Sequence, residues 1–220
     1  AKSPSFPGTM TDAIILHAHL RLPLSCPSWQ PPLLRALPYA QRLELERREP
    51  EARRASLAGL GLVLVGAARL TQREFPPQAF SFPPAGKPRL ASGPYFSISH
   101  SNSTVTCIVC ADTDCGIDIE DRLDSADSAT VAKLRRWTAT EAALKAAGLG
   151  LRAAGEVALA DRLEHAVVRR QRYELQSLDE VPGVICHIAA RKKLTPIIAP
   201  VDLDDARTSV LLERRLGLAA

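Results

Sequence analysis

Three strand-like runs, Tyr95 to His100, Thr104 to Ala111 and Cys115 to Glu120, follow one another with only a few polar residues between them. Asn102-Ser103 and Asp112-Thr-Asp114 supply the turns. Connections this short leave no room for a helix, so the middle of the chain must be sheet. Around it the patterning is mixed. Residues 12–22 alternate well enough for a first strand, and Pro23 to Pro32 reads as a loop. Helical periodicity follows from Leu33 to Glu49, interrupted by Pro38, and a second helix runs from Glu51 toward Leu70. Its apolar stretch from Leu57 to Val65 should be buried, and the glycines at 59, 61 and 66 permit close packing at a cost in helix propensity.

Residues 75–94 carry six prolines and read as an irregular loop. The polar stretch from Asp121 to Thr130 leads to a helix over Thr138 to Ala147, closed by Gly148 and Gly150. Short strands are expected at Val157 to Leu159, Arg169 to Gln176 and Val184 to Ala190, with a turn at Val181-Pro-Gly183 between the last two. The fold class is α+β.

At 220 residues and 46% hydrophobic, the chain is long enough to bury a core without disulfides. A net charge of +4 suits an anionic small molecule or an acidic protein partner. With aromatics at 5% and no recognisable nucleic-acid motif, nucleic acid is not an expected partner. Five cysteines, an odd number without a small-scaffold spacing, point to a reducing compartment. Cys107 and Cys110 sit within one strand and point to opposite faces, so they read as buried hydrophobes rather than a metal clip. The run from Ser56 to Ala68 is shorter than the ~20 residues that cross a bilayer, and no membrane partner is expected. No secretory leader is visible and the sole methionine is Met10, so residues 1–9 read as an added or upstream extension. A cytoplasmic monomer is expected.

Cys115-Gly-Ile-Asp-Ile-Glu120 carries the strongest chemical signal. In a strand Cys115, Ile117 and Ile119 face a core, while Gly116, Asp118 and Glu120 face the other way. Two carboxylates on one face, about 7 Å apart at their backbones, repel each other unless a cation is shared. The competing reading is a solvated polar edge. Thr138-x-x-Glu141 has the form of a capping box, and Glu141 and Lys145 share a helix face, so alone this segment signals only a helix. Phe96-Ser-Ile-Ser-His100-Ser101 places adjacent Ser and His on opposite faces, which rules out a dyad. No Gly-x-Ser-x-Gly elbow accompanies it. Hydroxyls, an imidazole and Lys87 upstream suit phosphate binding, against a plain polar strand end.

Taken in order, these segments resemble the surfactin-type 4'-phosphopantetheinyl transferases. The resemblance rests on Lys87-Pro88, Phe96 to Ser101, Gly116 to Glu120, Trp137, Glu141-Ala142, Lys145 and Gly148-Leu-Gly150-Leu151. Arg53-x-x-Ser56-Leu-Ala-Gly59 is similar to that family's coenzyme A-binding helix, so the likeness spans most of residues 53–151. It implies two similar α/β halves, each a helix on a small antiparallel sheet, related by a pseudo-twofold axis. Their bounds would be 10–113 and 114–220, the second half carrying the metal motifs. Asp118, Glu120 and Glu141 would hold Mg²⁺. Lys145 would contact the phosphates, and Glu141 is the candidate base. Arg53, Lys87, Ser99 and His100 would bind the adenine and 3'-phosphate end of coenzyme A, with Arg54 and Arg89 as further candidates. Asp118, Glu141 and Lys145 would be catalytic. The implied reaction moves phosphopantetheine from coenzyme A to a serine of an apo acyl or peptidyl carrier protein, as in fatty-acid, polyketide or nonribosomal-peptide synthesis, and releases 3',5'-ADP. A non-catalytic coenzyme A or carrier-binding protein on the same fold is the alternative.

Two departures stand out. Thr140 occupies the place of a lysine, and only residues 121–136 separate Glu120 from Trp137, where the family carries a longer insert. Within that segment the acidic Asp121, Asp124 and Asp127 suit a carrier poorly, whereas Lys133, Arg135 and Arg136 are the expected docking charges.

Overall fold

The structure, a computed structural model, describes residues 12–20, 28–84, 86–122 and 127–203. Cys26, Asp124, residues 1–9 and the end of the expected first strand lie outside these. In chain order the elements begin with β1 (Ala13–His19), α1 (Gln30–Ala36), α2 (Tyr39–Glu46) and α3 (Pro50–Thr71). A 3₁₀ turn, Pro77–Ala79, precedes β2 (Phe80–Ser81), β3 (Arg89–Leu90), β4 (Tyr95–His100), β5 (Thr104–Cys110) and β6 (Cys115–Asp121). Then come α4 (Ser128–Ala147), a 3₁₀ turn Leu151–Glu156, β7 (Val157–Leu159), β8 (His165–Val168), β9 (Gln171–Leu178), β10 (Val184–Ala190) and β11 (Pro196–Pro200). The fold is mixed α+β.

Two sheets carry the molecule, in the orders β11-β1-β5-β4 and β6-β10-β9-β8-β7. Of the two short turns, only Ser101–Ser103 closes a hairpin, pairing β4 with β5. The Asp112–Asp114 turn instead hands the chain to the second sheet, where β6 pairs with β10. Strand alternation explains the layering. Ile14, Leu16, Val105, Cys107 and Val109 face α3, whereas Ala13, Ile15, Ile108 and Cys110 face Ile117, Ile119, Cys186 and Ile188 of the second sheet. Cys107 and Cys110 thus belong to different cores, as the period of two requires. On the far side, Ala139, Ala142, Ala143 and Ala146 of α4 pack on Ala166, Val168, Tyr173, Leu175 and Ala189. The layers run α3, sheet, sheet, α4.

Close approach of helix to sheet is set by small residues. A methyl group on Gly116 would lie 1.9 Å from the Ala142 carbonyl oxygen, so only glycine lets α4 settle on β6. α3 is long and apolar enough to cross a membrane by length and composition, yet 72% of that stretch is buried within the protein, as expected of a core helix.

Several elements differ from the sequence expectation. α1 starts inside the expected loop, because Pro31 and Pro32 occupy the first turn, where their missing N–H groups cost nothing. Pro38 divides the expected first helix into two. Within the proline-rich loop, Phe80–Ser81 and Arg89–Leu90 pair as a minimal ladder between prolines. α4 begins ten residues early, where Asp127 caps it by accepting from the Thr130 N–H at 2.6 Å. Thr138 is therefore no cap: it is mid-helix and wholly buried, its hydroxyl 2.7 Å from His187 Nδ1 of β10. Gly148 does end α4, with φ of 70°.

Candidate functional site

The edge strands β4 and β6 meet where the two sheets adjoin, and β4's alternation builds the site. Ser97 and Ser99 point to β6, where their hydroxyls accept the Ile117 and Ile119 N–H groups, each at 3.3 Å. Two side chains here do the work of a missing backbone ladder. Ile98 and His100 point the other way, into a cavity of about 760 Å³.

At the β6 end of this seam lies Asp118, 3% exposed. Its Oδ1 accepts from Ser99 Oγ at 2.8 Å and from Lys145 Nζ of α4 at 2.6 Å, and Lys145 also donates to Ser99 at 3.1 Å. Asp118 Oδ2 is buried with no partner. Glu120 and Glu141 are near enough to feel this charge. Burial raises the carboxyl of Glu120, and the charges of Asp118 and Asp121 raise it further, against a hydrogen bond from the Trp137 indole N–H. Burial likewise raises Glu141, followed by Asp118 and opposed by Lys145. Ser99, Asp118 and Lys145, up to 46 positions apart in sequence, are hydrogen-bonded together, with Glu120 and Glu141 near enough to feel the Asp118 charge. Among the described residues, however, no three His, Cys, Asp or Glu side chains converge closely enough to enclose a metal ion as they stand. The Lys145 ammonium sits at Asp118 instead.

The β4–β5 turn is fastened to the same strand. The Asp121 carboxylate accepts from the Ser101 and Ser103 hydroxyls and from the Asn102 N–H. Burial works against its charge, but these bonds outweigh it and hold its carboxyl below the ordinary range.

The cavity is walled by α2, α3, β4 and the proline-rich segment. Phe80, Phe82, Pro83, Pro84 and Pro88 give it an apolar side, and Gln41, Glu44, Arg48, Ser56 and His100 give it polar groups. Arg48 follows α2 and is tethered by donating to Glu44 and to Ser56 Oγ, the latter at 3.1 Å. Burial lowers the His100 imidazole's affinity for a proton, and the Lys145 and Arg48 charges lower it further.

Two expected coenzyme A contacts are placed elsewhere. Arg53 reaches back to the Glu46 carbonyl and does not line the cavity. Lys87 donates to the Cys115 carbonyl and lies 3.7 Å from Asp114, although its neighbours Gly86 and Pro88 do line the cavity. Arg89 borders a smaller, separate cleft with Lys87 and Tyr95. Thr140 turns its hydroxyl onto its own helix, donating to the Arg136 carbonyl at 2.8 Å. The residue that sequence reading missed is Arg48. Its position at a helix end before Glu49-Pro50 resembles an ordinary basic C-terminus, and nothing in the letters brings it beside His100. Compared with known proteins, the sequence matches no protein-family model and no curated protein.

Proposed function

We propose that this protein is a Mg²⁺-dependent 4'-phosphopantetheinyl transferase that moves phosphopantetheine from coenzyme A to a serine of an apo acyl or peptidyl carrier protein. The observation that carries the reading is the continuity of β4. His100 faces a nucleotide-sized cavity while its neighbour Ser99 bonds Asp118 and Lys145. One strand would thus hold both ends of an elongated, phosphate-rich substrate. The ordered resemblance of residues 87–151 to that family supports the same reading. So does the arrangement of two helix-on-sheet units, which we take as halves related by a pseudo-twofold axis.

The donor set fits a hard cation. Asp118 offers a buried, unpartnered oxygen, and the carboxyls of Glu120 and Glu141 are raised, first by burial and then by the neighbouring negative charge of Asp118. These three residues would hold Mg²⁺, which when bound supplies neutralisation of the diphosphate and its leaving oxygen. The apolar side of the cavity would stack the adenine, with Arg48 and His100 at the ribose end. Lys145, already a donor in the seam, would contact the diphosphate. The carrier serine oxygen bonds to the phosphorus bearing pantetheine, the bond from that phosphorus to the 3',5'-ADP oxygen breaks, and the serine proton passes to Glu141. A raised carboxyl suits Glu141 to that step. Lys133 and Arg136 lie exposed on the first turns of α4, beside a 41% exposed Trp137, and together with Arg135 they offer an acidic carrier a basic approach.

A second reading has its own support. Lys145 occupies the Asp118 carboxylate, and a lysine bridge there would suit a protein that binds coenzyme A or a carrier without transfer. Incubation with coenzyme A, Mg²⁺ and a panel of apo-carriers, followed by intact mass, separates the two. A carrier mass increase of one phosphopantetheine is expected. Binding of coenzyme A with no mass change on any carrier would establish the non-catalytic reading.

A further inference from the structure

The charged groups on the cavity wall cancel. Among the described residues lining it, Glu44 and Arg48 are the charged pair, and His100 is held toward its neutral form by burial and by the Lys145 and Arg48 charges. Glu44 and Arg48 stand one helical turn apart, so the carboxylate reaches the guanidinium directly. Ser56 Oγ takes a second guanidinium N–H. Arg48 is thereby fixed at the cavity, but part of its hydrogen-bonding capacity and part of its field are spent on Glu44.

A phosphate ester and a free hydroxyl make different demands on such a wall. The phosphate brings close to two negative charges and gains only from uncompensated cation, whereas a ribose hydroxyl is satisfied by donating to a carboxylate and accepting from a guanidinium. A neutral Glu–Arg pair meets the second demand in full and the first only in part. Building on the coenzyme A reading above, we propose that Glu44 is a specificity-determining residue: by occupying Arg48 inside the cavity, it lets the site accept the 3'-dephosphorylated form of coenzyme A nearly as well as the 3'-phosphorylated form.

Calorimetric titration of the full chain with coenzyme A and with 3'-dephospho-coenzyme A, in Mg²⁺ and at two salt concentrations, tests this. Because an exposed ion pair is screened and shifts binding modestly, the wild-type preference for coenzyme A should stay below about fivefold. Glu44→Gln frees Arg48 while Ser56 still holds it. That variant should tighten coenzyme A by about five- to tenfold, shrinking at high salt, with dephospho-coenzyme A moving by less than about twofold. Adding Arg48→Gln to Glu44→Gln should erase the gain. A wild-type preference of about a hundredfold, or a Glu44→Gln change equal for both ligands, would overturn the assignment and leave the transferase reading standing. A merely structural role for Glu44 predicts that equal change. If neither ligand binds the wild-type protein, the coenzyme A reading fails and the role of Glu44 fails with it.

Discussion

The two long helices pack on their sheets in opposite ways. α3 buries an unbroken run from Leu57 to Ala68, and its glycines at 59 and 66 face the side chains of Ile98 and Val109. α4 buries only Thr138, Ala139, Ala142, Ala143, Leu144 and Ala146, and here the glycine belongs to the strand, facing helix backbone. A helix enclosed along most of its length has no surface left for chemistry. A helix buried on one narrow stripe keeps a flank, and on that flank stand Glu141 and Lys145, over the outward residues of β6. On the reading proposed above, the first unit would grip a ligand through β4 and the α2–α3 wall, and the second would act on it.

The sharpest way to break this division is to compare His100 with Asp118. Asp118→Asn and Glu141→Gln should lower the turnover of carrier modification by about 10³-fold, the scale for losing groups that stabilise transition-state charge. Circular dichroism should be unchanged. His100→Ala should act mainly through coenzyme A affinity, weakening it by about tenfold and dephospho-coenzyme A less, as loss of one polar contact predicts. Near-normal turnover of Asp118→Asn in saturating Mg²⁺ would remove chemistry from the second unit.

The glycines supply a stability contrast. Gly116→Ala forces a methyl into the Ala142 backbone, which cannot yield, and should cost about 3 kcal/mol or more by urea denaturation. At Gly59 the obstruction is the γ2 methyl of Ile98, a side chain rather than backbone but stiff at χ1. The ~1 kcal/mol gain in helix propensity offsets part of that strain, so Gly59→Ala should cost less than Gly116→Ala, about 1 to 2 kcal/mol. Similar costs at the two sites would mean that both helices pack alike.

How these features were encoded decides how readable they were. Period-two alternation put Ile117 and Ile119 in the core and Asp118 and Glu120 opposite, and the structure has them so. The strand Val184–Ala190 is likewise found as patterned. Other signals were weak because the turn or cap was atypical. β8 and β9 are joined at Arg169 and Arg170, both with positive φ (47° and 69°), a conformation that arginine does not advertise. β11 is bracketed by Pro196 and Pro200, which argue against a strand until it is seen at a sheet edge. The early start of α4 hung on Asp127 alone. For the site, the carboxylates and Lys145 announced themselves by spacing on one element each. The Glu44–Arg48–Ser56 wall draws on α2, the link after it and α3, and needed tertiary structure to come together.

A smaller effect sharpens the docking side of the comparison. Reversing the charges of Lys133, Arg135 and Arg136 should raise the carrier KM by about tenfold at low salt while coenzyme A affinity holds. An unchanged KM and salt dependence would place docking elsewhere. The smallest effect is one of pH. Because the folded-state carboxyls of Glu120 and Glu141 are raised, their contribution to stability is fully present below the ordinary carboxylate range and is lost as pH rises through their folded values. The increment in Tm given by Mg²⁺ should therefore grow as pH rises above the ordinary carboxylate range and be reduced in Glu141→Gln, in differential scanning fluorimetry. An increment independent of pH would separate the cation from these carboxylates.

The pairing of β11 with β1 has a consequence for how the protein is made. Ala13 lies beside Pro196, so β1, made long before β11, runs parallel to the last strand described. Until residues near 200 emerge, β1 presents an open hydrogen-bonding edge, and α3 covers only the face of the nascent sheet. Long-range closure of this kind is slow. While the residues between β1 and β11 are being made, the first sheet is therefore unfinished and open to strand addition by a neighbouring chain, and a transcript cut short before Pro196 leaves β1 without its β11 partner.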